Sequence, residues 1–232
     1  THGLSLVGDL FVDEGDIIIL PDKLWGNYRL IFSVRLGAVL KTFPFYNEKN
    51  GFNTDGLKKA IGDTVHKTPK VIVLLNFPNN PTGYSITPQE AAIIVDVLKT
   101  FAAQGVRLIV VSDDAYFSLF YEEGVMQESL FAHTADLDER ILAIKLDAAT
   151  KEQFVWGFRV GFLTYSIGGK SNREAIYTSL EKKTMGAIRG GISNSPHLSQ
   201  TLVLKALEAD TFAQEKRGKY EVLKARAGKV QE

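Results

Sequence analysis

The sequence predicts an α/β fold of three layers, a mostly parallel sheet covered by helices on both faces. Short continuous apolar runs, such as residues 17–20 (IIIL) and 71–75 (VIVLL), mark strands buried on both sides. Stretches with helical apolar spacing separate them, and this strand–helix alternation favours crossover connections and parallel pairing. No repeat, low-complexity tract or linker divides the 232 residues, so a single domain is expected.

Taken in order, residues 4–12 carry apolar side chains at helical spacing, entered through Thr1-His2-Gly3. Glu14-Gly15-Asp16 is a turn, residues 17–20 form the first strand, and Pro21-Asp22 breaks it. Residues 25–36 read as a helix stopped at Gly37, and residues 38–43 as the second strand. A helix begins at Thr54 and runs to Val65, with Asp55 in the first turn where a carboxylate suits the helix dipole. The third strand, residues 71–75, leads into a loop over 76–85. Thr87-Pro88-Gln89-Glu90 then has an N-cap threonine, proline in the first turn and the glutamate of a capping box. That helix is expected to reach Ala103 and close at Gly105. Strands follow at 107–112, 141–146 and 160–165, and helices at 173–185 and 196–218.

Composition narrows the function classes. The 27 basic and 27 acidic residues balance and are interspersed, which gives no electrostatic reason for a nucleic-acid or anionic-membrane partner. The 45% hydrophobic content is enough to bury a core. No apolar run approaches the roughly 20 residues that span a bilayer, and the first residues do not read as a signal peptide. With no cysteine, disulfides and thiolate metal sites are excluded and a cytoplasmic location is the default expectation. His2, His66, His133 and His197 are scattered without ligand spacing, so no metal site is expected. The chain opens within a helical pattern, and Tyr220, Val222 and Leu223 near its end lack a downstream partner element. It therefore reads as one domain of a longer protein.

In parallel sheets of this kind, ligands bind beyond the carboxyl ends of the strands. The informative motifs fall there: NNPTG (79–83) after the third strand, DDAY (113–116) after the fourth, and Lys151 after the fifth. Arg159 follows Lys151 by eight residues and opens an RVG triplet. Each has an ordinary reading by itself. A single lysine is normally a solvated surface group, NNPTG is a good turn, and Trp25 in LWGNY would serve simply as core packing.

In this order and spacing, NFPNNPTG, SDDAY, the lysine and the arginine resemble the class I/II aminotransferases, fold-type I pyridoxal-phosphate enzymes similar to aspartate aminotransferase. The likeness runs over nearly the whole chain. It implies pyridoxal 5'-phosphate as cofactor, an amino acid and a 2-oxo acid as substrates, and a homodimer. By the same resemblance, this chain is the large, cofactor-binding domain. An N-terminal segment and a small domain with the arginine for the substrate α-carboxylate would lie outside it. The chain alone is then expected to bind cofactor weakly or not at all and to turn over little.

The resemblance also implies residue roles. Lys151 would carry the cofactor aldehyde on its amine and later move a proton to or from the substrate Cα. Asp113 would pair with the pyridine nitrogen, while Asp114 would point away and cap the next turn. Asn80 and Tyr116 would hydrogen-bond the phenolic oxygen, and Trp25 would lie against the ring. Arg159 would hold the phosphate, joined by the helix start at Thr1, His2 and Gly3. Ala148 stands where a phosphate-binding serine is common, and Thr150 would replace that hydroxyl. Arg189, in IRGGISNSP, aligns with an arginine that some relatives use to recognise a dicarboxylate across a dimer interface.

Other readings of the same cofactor cage are a C–S lyase, an amino-acid decarboxylase, or the sensing domain of a transcription regulator. A non-catalytic relative would be expected to lack Lys151 or Asp113, and both are present. Gly168-Gly169-Lys170-Ser171 has the tail of a P-loop without its first glycine, and no G-x-G-x-x-G occurs, so neither nucleotide fingerprint is met.

Overall fold

The computed structural model describes residues 1–68, 70–169 and 172–231; Lys170 and Ser171 of the rejected P-loop stretch lie outside the described residues. Helix α1 (His2–Phe11) precedes β1 (Ile17–Pro21) and β2 (Val39–Phe43). Then come α2 (Thr54–Gly62), β3 (Val71–Asn76), α3 (Pro88–Ala103), β4 (Leu108–Asp113) and α4 (Leu130–Thr134). β5 (Ile141–Ala148) runs straight into the short α5 (Ala149–Glu152), and β6 (Gly161–Ile167) follows. Helices α6 (Arg173–Ile192), α7 (His197–Leu207) and α8 (Phe212–Gln231) complete the chain.

The six strands form one sheet in the order β2-β1-β3-β4-β5-β6. All neighbours pair in parallel except β5 and β6, which are antiparallel. Alternation along each strand divides the core in two. Ile19, Val71, Val73, Leu75 and Val110 meet the apolar sides of α2 and α3. Ile18, Leu20, Ile72, Leu74, Val111 and Ile144 meet α1 and the helical stretch after Trp25. This double coverage is why the strands read as unbroken apolar runs, and it is the three-layer α/β architecture expected. Strand order reverses between β1 and β3, which creates the crevice at the carboxyl edge where such sheets bind ligands.

Several elements depart from expectation. The helix after Trp25 is wound as a π-helix over Arg29–Val34, a wide turn that places Tyr28, Ile31 and Phe32 in the core. Helix α2 ends at Gly62, three residues before Val65, and the Thr64 hydroxyl donates to the Ala60 carbonyl (2.8 Å) as the chain turns away. The single helix expected at 196–218 is two, broken at residues 208–211, where Asp210 and Thr211 favour caps over helix interior. Helix α6 runs to Ile192, beyond Met185. By contrast, α3 starts as its sequence requires. Thr87 Oγ1 accepts from Glu90 N (3.2 Å) while Glu90 accepts from Thr87 N (2.8 Å), and Gly105 takes φ +90 just past the end.

Candidate active site

A cavity of about 690 Å³ opens at the carboxyl edge of the sheet, beside the reversal of strand order. It is bounded by Trp25 after β1, Asn80 after β3, Asp113 and Tyr116 at the end of β4, and Lys151 after β5. Thr1, His2 and Gly3 at the start of α1, together with Thr150 and Arg159, line the same space. All of the residues singled out in the sequence therefore converge except Arg189, which is not on the cavity wall. Its Nη1 donates to Ser193 Oγ (2.7 Å) at an exposed position, while Thr184 and Ile188 of the same helix face the cavity.

Asp113 ends β4 and is 5% exposed. Tyr28 Oη donates to its Oδ2 (2.6 Å) and Ala115 N–H to its Oδ1 (3.2 Å). Burial pushes its carboxyl pKa up, against the lowering effect of those two donors. Among the described residues no lysine or arginine pairs with it. Asp114, the next residue, projects to the opposite sheet face and does not line the cavity. It does not cap the following turn either. Strand alternation carries it beneath the α3 side, where Lys145 Nζ stands 3.7 Å from Oδ2, and burial raises its pKa to about 7.

The NNPTG stretch is both a turn and a positioning device. Asn79 is buried; its Oδ1 accepts from Thr82 N (3.1 Å) and Thr82 Oγ1 (2.8 Å), and its Nδ2 donates to Lys23 O (3.2 Å). Gly83 sits at φ +74, as the turn needs. The turn aims the neighbouring Asn80, whose Nδ2 lies 3.5 Å from Tyr116 Oη. Lys151 Nζ stands over the Tyr116 ring, 5.3 Å from its centroid, so the amine, the amide and the phenol share one wall.

At the other end of the cavity, Gly3 allows α1 to meet β5 closely, since a Cβ there would lie 2.9 Å from Leu146 Cδ2. The first-turn N–H groups of α1 lack intrahelical acceptors and point outward from its N-terminus. Arg159 holds a left-handed backbone (φ 56), and its Nη1 donates to Trp156 O (3.0 Å). A non-glycine residue in that conformation costs about 1 kcal/mol or more. Helix N–H groups and a guanidinium at one end form an anion cradle, with Thr150 adding a hydroxyl and Ala148 none.

Tyr28 and Asn76 are among the polar cavity residues that sequence reasoning missed. For Tyr28 a signal existed. It lies three residues after Trp25 on a helical stretch, hence on the same side, and its ring meets the indole edge-on at 5.6 Å.

The family model for aminotransferase class I and II matches residues 1–231. The chain belongs to the class I and II aminotransferases. It is 27% identical over 212 residues to the "probable aspartate/prephenate aminotransferase" of Rickettsia felis, covering 89% of this chain and 46% of the relative. An aminotransferase structure from Anaerococcus prevotii superposes with a TM-score of 0.84 at 26% identity, covering 96% of this chain and 53% of that one. The cytoplasmic aspartate aminotransferase of Saccharomyces cerevisiae shares the fold, with a TM-score of 0.75, at 20% identity and over 97% and 53% of the two chains. The chain thus spans about half the length of these aminotransferases. No helix among the described residues is long and apolar enough to cross a membrane, and no described cluster of side chains is arranged to hold a metal.

Proposed function

We propose that this chain is the large domain of a pyridoxal-phosphate-dependent aminotransferase, whose whole protein moves an amino group between an amino acid and a 2-oxo acid. The observation that carries the reading is Asp113. It is a buried carboxylate on the cavity wall with no cationic side-chain partner among the described residues, in the same cavity as the Lys151 amine and an anion cradle. A protonated pyridine nitrogen supplies the partner that the carboxylate lacks, and a phosphate suits the cradle. The residues present fit the cofactor.

When bound, the cofactor supplies an aldehyde carbon and an electron-withdrawing ring. The Lys151 amine would serve as the nucleophile toward that carbon and as the base at the substrate Cα. Asp113 would hold the proton on the ring nitrogen. Asn80 Nδ2 and Tyr116 Oη would donate to the phenolic oxygen, and Trp25 would lie against the ring. Arg159, Thr150 and the backbone of Thr1, His2 and Gly3 would bind the phosphate. Arg189 points away from its own cavity and would reach substrate only across a subunit boundary, in the homodimer that the family resemblance implies. A cytoplasmic location accords with a chain free of cysteine.

The test is titration of the chain with pyridoxal phosphate to millimolar concentration. Any visible absorption band, expected to be weak for this chain alone, should be removed by Lys151→Ala. The absence of any band from the wild-type chain would count against a preformed site in this chain, and an equal band from the alanine variant would overturn the assignment of Lys151. In the longer protein, product analysis with and without a 2-oxo acid separates amino transfer from lyase and decarboxylase chemistry.

A further inference from the structure

We propose that Asn76 is a positioning residue that sets the spacing between the ring-nitrogen partner and the phenolic-oxygen donor, a claim that rests on the cofactor reading above. Asn76 is the last residue of β3 and stands in register with Asp113, the last residue of β4. Its side chain is 5% exposed. Nδ2 donates to the Asp113 carbonyl (2.6 Å), and Oδ1 accepts from the backbone N–H of Asn80 (2.7 Å). One planar amide thus ties together the two backbone segments that present Asp113 and Asn80.

Backbone bonds from Asn79 N to Tyr84 O (2.9 Å) and from Gly83 N to Asn79 O (2.8 Å) close the loop on itself, and the Asn80 N–H goes to the Asn76 amide instead. Pro78 and Pro81 have no N–H to donate. The loop's other anchors, through Asn79 to Lys23 and Thr82, fix the turn but do not connect it to β4. Asn80 itself is only half-buried, so its aim depends on its backbone being pinned. An amide is suited to the task because it carries a donor and an acceptor on one rigid group. A carboxylate at this position would set oxygen against the Asp113 carbonyl, and an aliphatic side chain would leave a buried acceptor and a loop N–H unpaired.

The consequence is spectroscopic. If Asn80 is mis-aimed, the phenolic oxygen loses a donor and holds its proton more tightly. The pH midpoint of the visible band should then rise. Asn76→Leu is expected to raise it by about one pH unit, the equivalent of one lost hydrogen bond. The control is Val73→Ala, on the same strand but facing the other core. It should lower stability and leave the midpoint in place. A midpoint unmoved by Asn76→Leu, or moved equally by Val73→Ala, overturns the proposal. The hydrogen-exchange rate of the Asn80 amide, measured on the cofactor-free chain, keeps the two readings separable. If the wild-type chain gives no band, the chain alone has no preformed cofactor site. The positioning claim then stands if exchange is slow in the wild type and fast in Asn76→Leu, and falls if the wild type exchanges freely. Should Asn76→Leu not fold, slow or fast exchange in the wild type decides it alone.

Discussion

Replacing Asp114 with asparagine weighs burial against ion pairing at a carboxylate one residue away from the cavity. Asp114 is 3% exposed, and no hydrogen bond reaches its Oδ2. Burial is the largest influence on its pKa, raised to about 7, with Asp147 and Asp113 adding to it and Ser129 and Lys145 opposing. Lys145 is turned mainly toward Asp147, at 2.9 Å against 3.7 Å to Asp114. Because the folded pKa lies above the unfolded value of about 3.9, the fold prefers the protonated acid. Stability is fully present below about pH 4 and is lost as pH rises toward 7, by about 1.4 kcal/mol for each unit and about 4 kcal/mol in all. Asparagine cannot ionise. Asp114→Asn should match the wild type near pH 4 and exceed it by up to about 4 kcal/mol above pH 7. Urea unfolding followed by tryptophan fluorescence across that range reads the difference directly. A pH-independent difference, or a variant weaker than wild type above pH 7, would show that the pairing with Lys145 outweighs burial and would refute this reasoning.

Tyr28→Phe removes the donor to Asp113 without changing the packing volume, and should cost about 2 kcal/mol in urea unfolding, as expected for a hydrogen bond to a carboxylate. It should also push the Asp113 pKa further up; unchanged stability would mean that the 2.6 Å contact contributes nothing. Gly168→Ala would bring a Cβ to 2.7 Å from Asp138 N and 2.9 Å from Asp136 O, both backbone atoms, so a loss of about 1–3 kcal/mol is expected. Gly186, inside α6 with open space around it, gives the opposite sign, and Gly186→Ala should gain about 0.5–1 kcal/mol by the same measurement.

The parts of the site that were legible in the sequence are those whose chemistry dictates residue type at a fixed spacing. Lys151, Arg159, Asn80 and the Asp113–Tyr116 segment are of this kind, as is α3 with its capping box. Tyr28 and Asn76 act through partners 85 and 37 residues away, and no local pattern announces such a pair. The direction of β6 was equally hidden, because an apolar strand reads the same whichever way it runs. Strand β5 extends past Leu146 to Ala148, which the sequence did not announce because the charged Asp147 interrupts the apolar run, although both Asp147 and Ala148 pair with β6. The π-wound turn at Arg29–Val34 keeps helical spacing in the sequence, so its extra width left no trace there.

The antiparallel pairing of β5 with β6 has a consequence for how the site assembles. Had β6 run parallel to β5, Arg159 would enter at the far end of the sheet, about 20 Å from Lys151. As it is, residues 149–160 form one hairpin connection of twelve residues, with both charged groups on it. Closing so short a loop costs little chain entropy. Asn80 and Asp113 arrive only after β3 and β4 have paired across a crossover, which is slower. One side of the cavity is thus encoded by neighbours in sequence and the other by topology. Insertions in the 149–160 connection would disturb the lysine–arginine spacing without unsettling the sheet behind it.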